Sequence, residues 1–154
     1  MFRRTLLLGT ISSAFLLSFK SYSNELIPIH VFKDPNCGCC KKWIEILNKE
    51  GFIVTPEDMF STDLVQFKIN NNIPLNMVSC HTAKINGYII EGHVPPQDIK
   101  TLINTQMDAI GLAVPEMPYG SPGMGPEDKR EAYDVYLIKK NGKTTIFNSY
   151  AAKS

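Results

Sequence analysis

An α/β fold is predicted by three observations. A β-rich run, Ile27 to Lys33, leads through the breaker Asp34-Pro35-Asn36 into a stretch with helical spacing. Two Asn-Gly dipeptides, Asn86-Gly87 and Asn141-Gly142, each lie between strand-like runs and mark tight hairpin turns. Pro95-Pro96 suits the opening of a further helix, which runs to about Thr105.

Taken in order, the first helix carries Cys40, Ile44 and Leu47 at i, i+4 and i+7, with Trp43 on the same stripe, and Gly51 stops it. Phe52 to Thr55 reads as a second strand. Asp63 to Asn71 reads as a short helix with Leu64, Phe67 and Ile69 as its apolar candidates. Cys80 to Ile85 and Tyr88 to Glu91 flank the first Asn-Gly turn, and Tyr133 to Tyr150 forms the second hairpin. Residues 106–130 are rich in Gly and Pro and read as a long loop of the functional kind. The predicted order is β-α-β-α-β-β-α, followed by a loop and a hairpin.

With 154 residues, the chain has the length of one domain. Its 44% apolar content is that of a globular protein, not a disordered one. Lys+Arg is 16 against 15 Asp+Glu. Arg3, Arg4 and Lys20 account for three of the basic residues, so the rest carries 13 against 15, a net of −2. Such a body lacks the electrostatic footprint of a nucleic-acid binder.

Those three cations belong to the first segment. Two arginines precede a largely apolar run, Leu6 to Phe19, and the small residues of Ser21-Tyr22-Ser23 follow. This is the pattern of a secretory signal peptide over residues 1–23. The run is 14 residues long and interrupted by Gly9, Thr10 and three serines, short of the roughly 18 apolar residues of a spanning helix. The expected location is the periplasm or another exported compartment, with no membrane span after cleavage; Sec and twin-arginine export both remain open. The mature domain is then residues 24–154.

Outside the cytosol, cysteines pair as disulfides or are held by metal. Cys37-Gly38-Cys39-Cys40 crowds three thiols into four residues, poor spacing for two staples. Cys37 and Cys40 have C-x-x-C spacing between a strand and a helix. There the positive end of the helix dipole and unpaired N–H groups favour thiolate, the better nucleophile and the metal-binding form. Cys40, on the apolar stripe, is expected to be more buried than Cys37, and Cys39 to point off the stripe. Cys80-His81 opens the third strand. His93 lies between the fourth strand and the last helix, and Met117 and Met124 lie in the Gly/Pro loop. His30 reads as structural or surface. Asp34 and Glu91 are possible hydrogen-bond acceptors for a ligand histidine. Soft thiolates and thioethers select Cu(I), and imidazole suits copper or zinc.

The stretch CHTAKINGYIIEGHVPPQDIKTL, from Cys80 to Leu102, resembles the second half of a glutaredoxin, which implies a thioredoxin-like core. In that alignment His81 occupies the cis-proline position that faces the C-x-x-C pair, so the resemblance places Cys80 or His81 beside Cys37. Loss of the proline favours metal binding over redox turnover. The set CGCCKKW, SCHTA, GYIIEGHVP and GLAVPEMPYGSPGM resembles the bacterial domain of unknown function 411 family over about residues 29 to 150. Its members are described as predicted metal-binding proteins, often near copper-resistance functions.

The expected function is therefore binding of a soft metal, Cu(I) first and zinc second, for sequestration, delivery or resistance. The candidate ligands are Cys37, Cys39, Cys40, Cys80 and His81, with His93, Met117 and Met124 as weaker ones. A periplasmic metal-handling or redox protein is the expected partner. The alternative is a thiol-disulfide oxidoreductase using Cys37 and Cys40. One disulfide, Cys39 with Cys80 or Cys37 with Cys40, is expected in the oxidised protein.

Overall fold

A computed structural model describes residues 26–153; the signal peptide expected over residues 1–23 lies outside the described residues. The described chain is a mixed α/β structure with one seven-stranded sheet and three α-helices. In chain order these are β1 (Ile27–Lys33), α1 (Gly38–Lys49), β2 (Phe52–Asp58), α2 (Ser61–Asn70), β3 (His81–Ile85), β4 (Tyr88–Glu91), α3 (Pro96–Thr105), β5 (Gly111–Ala113), β6 (Tyr133–Ile138) and β7 (Thr144–Tyr150). Across the sheet the order is β2-β1-β3-β4-β5-β6-β7. The pairs β1/β2 and β4/β5 are parallel, each joined by a helix, and the others are antiparallel. No helix among the described residues is long and apolar enough to cross a membrane.

The period-2 alternation of strands divides the core between two faces. Ile90 and Leu112 pack with Val31 of β1, with Trp43 and Leu47 of α1 and with Ile99 and Leu102 of α3. Their neighbours Ile89 and Ala113 point the other way and pack with Ile73, Met77 and Ile138. Trp43 is fully buried, and its indole N–H donates to the Val94 carbonyl at 2.9 Å. Truncating a buried tryptophan to alanine costs about 3–5 kcal/mol.

Both Asn-Gly hairpins form, with Gly87 and Gly142 at positive φ as such turns require. Pro96 opens α3 at its first turn. Three elements differ from expectation. The second strand extends to Asp58, because its full length pairs with β1 through Lys33. In α2 the inward positions are Leu64 and Lys68, four apart on one face, while Ile69 is exposed; the buried cation masks the apolar period. The stretch 106–130 is not all loop, since β5 lies inside it. A Cβ on Gly111 would fall 1.6 Å from the Ile89 carbonyl oxygen, so glycine at this point is what lets β5 pair with β4. Three residues without alternation carry no strand signal of their own.

Candidate metal centre

The site forms where β1 ends and α1 begins. Asn36 N–H donates to Asp34 Oδ1 and Cys37 N–H to the Asp34 carbonyl, which turns the chain into the helix. Cys37 is the N-cap of α1, and its sulfur accepts from Cys40 N–H at 3.3 Å. Cys37 and Cys40 are joined in a disulfide. Cys40 is fully buried beside Trp43 and Leu47 on the inner stripe, and Cys37 is half-buried at the mouth, as the stripe predicts.

Cys39 and Cys80 are free and half-buried. Cys39 leaves the apolar stripe but does not leave the cluster: its sulfur lies 3.4 Å from Cys37 Sγ and 3.8 Å from Cys80 Sγ. Cys80 Sγ lies 3.6 Å from Cys40 Sγ. All four sulfurs lie within 4.8 Å of one another. Cys80 also belongs to a second group with two histidines, at 3.2 Å from His81 Nδ1 and 3.1 Å from His93 Nε2, so one sulfur joins a thiol cluster to an imidazole pair.

Both histidines are buried. The His81 ring lies between the Trp43 indole, 4.4 Å away between centroids, and the edge of His93, 4.9 Å away. His93 Nδ1 lies 2.8 Å from the Pro122 carbonyl, so it must carry the hydrogen, and Nε2 is left as a lone pair facing Cys80. If the Cys80 thiol donates to that lone pair, His81 Nδ1–H donates to the sulfur. His81 Nε2 then remains as a buried acceptor with no partner.

Burial pushes the Cys80 thiol up to about 12, with the neighbouring Cys39 adding to the effect. Burial holds His81 well below the usual imidazole range, and the positive charges of protonated His93 and of Lys68 act in the same direction. Burial lowers His93 too, against the Pro122 hydrogen bond. The metal-free site is thus a neutral thiol between two neutral imidazoles. Neutral imidazole is the ligand form, and thiolate is produced when a metal displaces the thiol proton.

The Gly/Pro loop closes over the first turn of α1. A Cβ on Gly123, at φ +89°, would meet Trp43 N at 2.8 Å and the Cys39 carbonyl at 3.0 Å. Only glycine lets the loop lie this close and bring the Pro122 carbonyl to His93. Within this loop, Met117 is exposed, whereas Met124 is half-buried with its backbone closing a turn to Gly120 and Ser121. His30 is outside the cluster and pairs with Glu57 at 2.9 Å. Asp34 serves the turn before α1, and Glu91 accepts from Lys68, Thr82 and Ser79 instead of from a histidine. The Pro122 carbonyl takes the role expected of those carboxylates. Lys68 lies in no motif; Ser79, Pro122 and Gly123 fall inside the segments SCHTA and GLAVPEMPYGSPGM, but no spacing in the chain gives them these roles.

Four sulfurs form one donor group and two imidazoles join Cys80 in a second, and an α/β protein with such a cysteine cluster can hold a soft metal ion. Residues 77–124 match the family described as "Protein of unknown function, DUF411". Two solved structures resemble the chain over most of its length. One, titled "Copper resistance protein copG- Form 1", is 41% identical, with a TM-score of 0.77, and covers 83% of this chain and 100% of that one. The other, "Copper resistance protein copG- Form 2", is 42% identical, with a TM-score of 0.75 and coverage of 82% and 99%. No curated protein matches the chain. The chain belongs to the DUF411 family.

Proposed function

We propose that this protein is an exported copper-binding protein that takes up Cu(I) through Cys37, Cys39, Cys40 and Cys80, with His81 as a further ligand, for sequestration, delivery or resistance. The observation that carries this reading is the Cys80 sulfur, 3.6 Å from Cys40 and 3.8 Å from Cys39. His93, on the far side of that sulfur, is a weaker ligand candidate, as are Met117 and Met124. The similar structures titled copper resistance protein support the choice of copper over zinc. The strand order β2-β1-β3-β4, with a helix after each of β1, β2 and β4, supports a thioredoxin-like core within one domain, residues 24–154. A signal peptide over residues 1–23 directs it to the periplasm, where a metal-handling or redox protein is its partner.

With Cys37 and Cys40 in a disulfide, two electrons and two protons are needed before all four sulfurs can bind metal. Titration of the reduced protein with Cu(I) against a competing chelator tests the reading. Tight binding that Cys→Ser at positions 37, 40 and 80 weakens is expected. Millimolar binding indifferent to those changes would overturn it. Metal analysis of protein purified without added metal separates copper from a resident zinc.

A second reading is favoured by the disulfide at the start of α1: a thiol-disulfide oxidoreductase. Cys37 thiolate would attack a substrate disulfide, and Cys40 would resolve the mixed disulfide, leaving Cys37–Cys40 oxidised and the substrate reduced. Insulin reduction that disappears in Cys37→Ser would establish it.

A further inference from the structure

Cys80 enters the cluster from a connector. β3 begins only at His81, and the residues before Cys80 are a short 3-10 turn, Leu75–Met77, then Val78 and Ser79. A sulfur carried this way is only as well placed as the peptide in front of it, and Ser79 is held at three points. Its N–H donates to Glu91 Oε1 at 2.7 Å. Its hydroxyl donates to the Glu116 carbonyl. Its Cβ lies against Gly92, where an added methyl would come within 2.6 Å of it.

Glu91 is the buried centre of this arrangement. It is fully buried at the end of β4 and accepts from Lys68 Nζ at 2.6 Å, from Thr82 Oγ1 at 2.6 Å and from Ser79. Lys68 is itself buried and also donates to Thr82 Oγ1 at 2.7 Å. An isolated ion pair in a core is often no more stabilising than an apolar pair of the same size, so its presence needs another reason than stability. Three elements meet here: α2 supplies the cation, β3 the hydroxyl and β4 the carboxylate. The one main-chain group they hold precedes Cys80.

We infer that Glu91 is a positioning residue for the metal centre. Anchored by Lys68 and Thr82, it fixes the Ser79 peptide and so sets the Cys80 sulfur at its distances from Cys39, Cys40, His81 and His93. The inference rests on the metal-binding reading above. What it requires of position 91 is an acceptor of the right shape, not a charge.

Two double variants separate acceptor from charge. In Glu91→Gln/Lys68→Met both charges go and the acceptor stays; in Glu91→Leu/Lys68→Met the acceptor goes as well. Loss of a partner around metal ligands typically costs about 10–100-fold in affinity. We expect that loss of Cu(I) affinity, and a shifted ultraviolet thiolate-to-Cu(I) band, in the Leu/Met protein, with both retained in the Gln/Met protein. Unchanged affinity and band in the Leu/Met protein, or equal losses in both, overturns the inference and leaves the copper reading intact.

A metal-free arm covers the other failure. With Cys39→Ser and the Cys37–Cys40 disulfide intact, Cys80 is the one free thiol. Its alkylation by iodoacetamide is expected to be several-fold faster with Leu/Met than with Gln/Met, and equal rates overturn the inference even where no copper binds. Should the Leu/Met protein fail to fold by circular dichroism, hydrogen exchange decides in the unsubstituted protein. The Ser79 amide is expected to exchange at least about 100-fold more slowly than an unstructured amide. Exchange at the unstructured rate overturns the inference.

Discussion

The sulfurs of Cys40 and Cys80 lie 3.6 Å apart although 40 positions separate the residues in the chain. The contact joins the first turn of α1 to the start of β3. It makes the cluster a product of two halves of the fold and gives Cys80 a place in both donor groups.

Cys80→Ser is therefore expected to be the most damaging single change to copper binding. It removes the sulfur that the thiol cluster and the imidazole pair share. The loss in Cu(I) affinity should exceed the roughly 10–100-fold that follows from disturbing a neighbour of a ligand. Competition with a chelator measures it, and a loss no larger than that of His30→Ala would count against the site.

The disulfide makes metal capacity depend on redox state. Oxidised protein, unfolded in denaturant, is expected to show two free thiols, Cys39 and Cys80, and reduced protein four. Copper uptake should rise on reduction and fall again when the disulfide is re-formed. Thiol titration and bound-copper analysis on the same samples check this, and equal copper content in both states would contradict it.

Stability of the metal-free protein should be greatest in a pH window bounded by the site. The histidines have native values below the ordinary 6.5, so the unfolded chain binds more protons below that point, and stability falls as the pH drops through 6.5. Cys80 is raised from 9.0 to about 12, so the unfolded chain releases its proton first, and stability is lost as the pH rises from 9 toward 12. Denaturant midpoints across pH reveal both arms, and Cys80→Ser should reduce the alkaline one.

Gly123→Ala should damage both fold and site. Its methyl would meet the α1 backbone at 2.8 Å, and its φ of +89° disfavours any side chain. A destabilisation of about 1–3 kcal/mol is expected by thermal melting. A local loosening of the His93 ring is expected with it, seen as a change in the His93 imidazole signals by NMR, because the loop carries the Pro122 carbonyl that holds Nδ1. Unchanged signals would show that the loop does not orient the ring.

Much of the fold was legible because its signals are local. The stripe through Cys40, Trp43 and Leu47, the two Asn-Gly turns and the Pro96 helix start each depend on residues a few positions apart, and each appears where expected. The candidate donors were legible as well, since cysteine and histidine announce their chemistry by type. β5 was not: it is a strand because β4 and β6 lie on either side of Gly111–Ala113. Lys68 was not, because a cation facing a core makes sense only once Glu91 lies opposite it.

From the sequence alone came an α/β chain with three crowded thiols at a helix start and a Cys-His pair opening a later strand, since residue type and short-range periodicity are written in adjacent positions. The tertiary structure alone decided that Cys39 turns into the cluster, that His93 reaches the Cys80 sulfur, and that Pro122, Glu91 and Lys68 support them. Those relations depend on distances between segments that only the pairing of strands and the closing of the loop bring together, and no spacing along the chain encodes a distance across it.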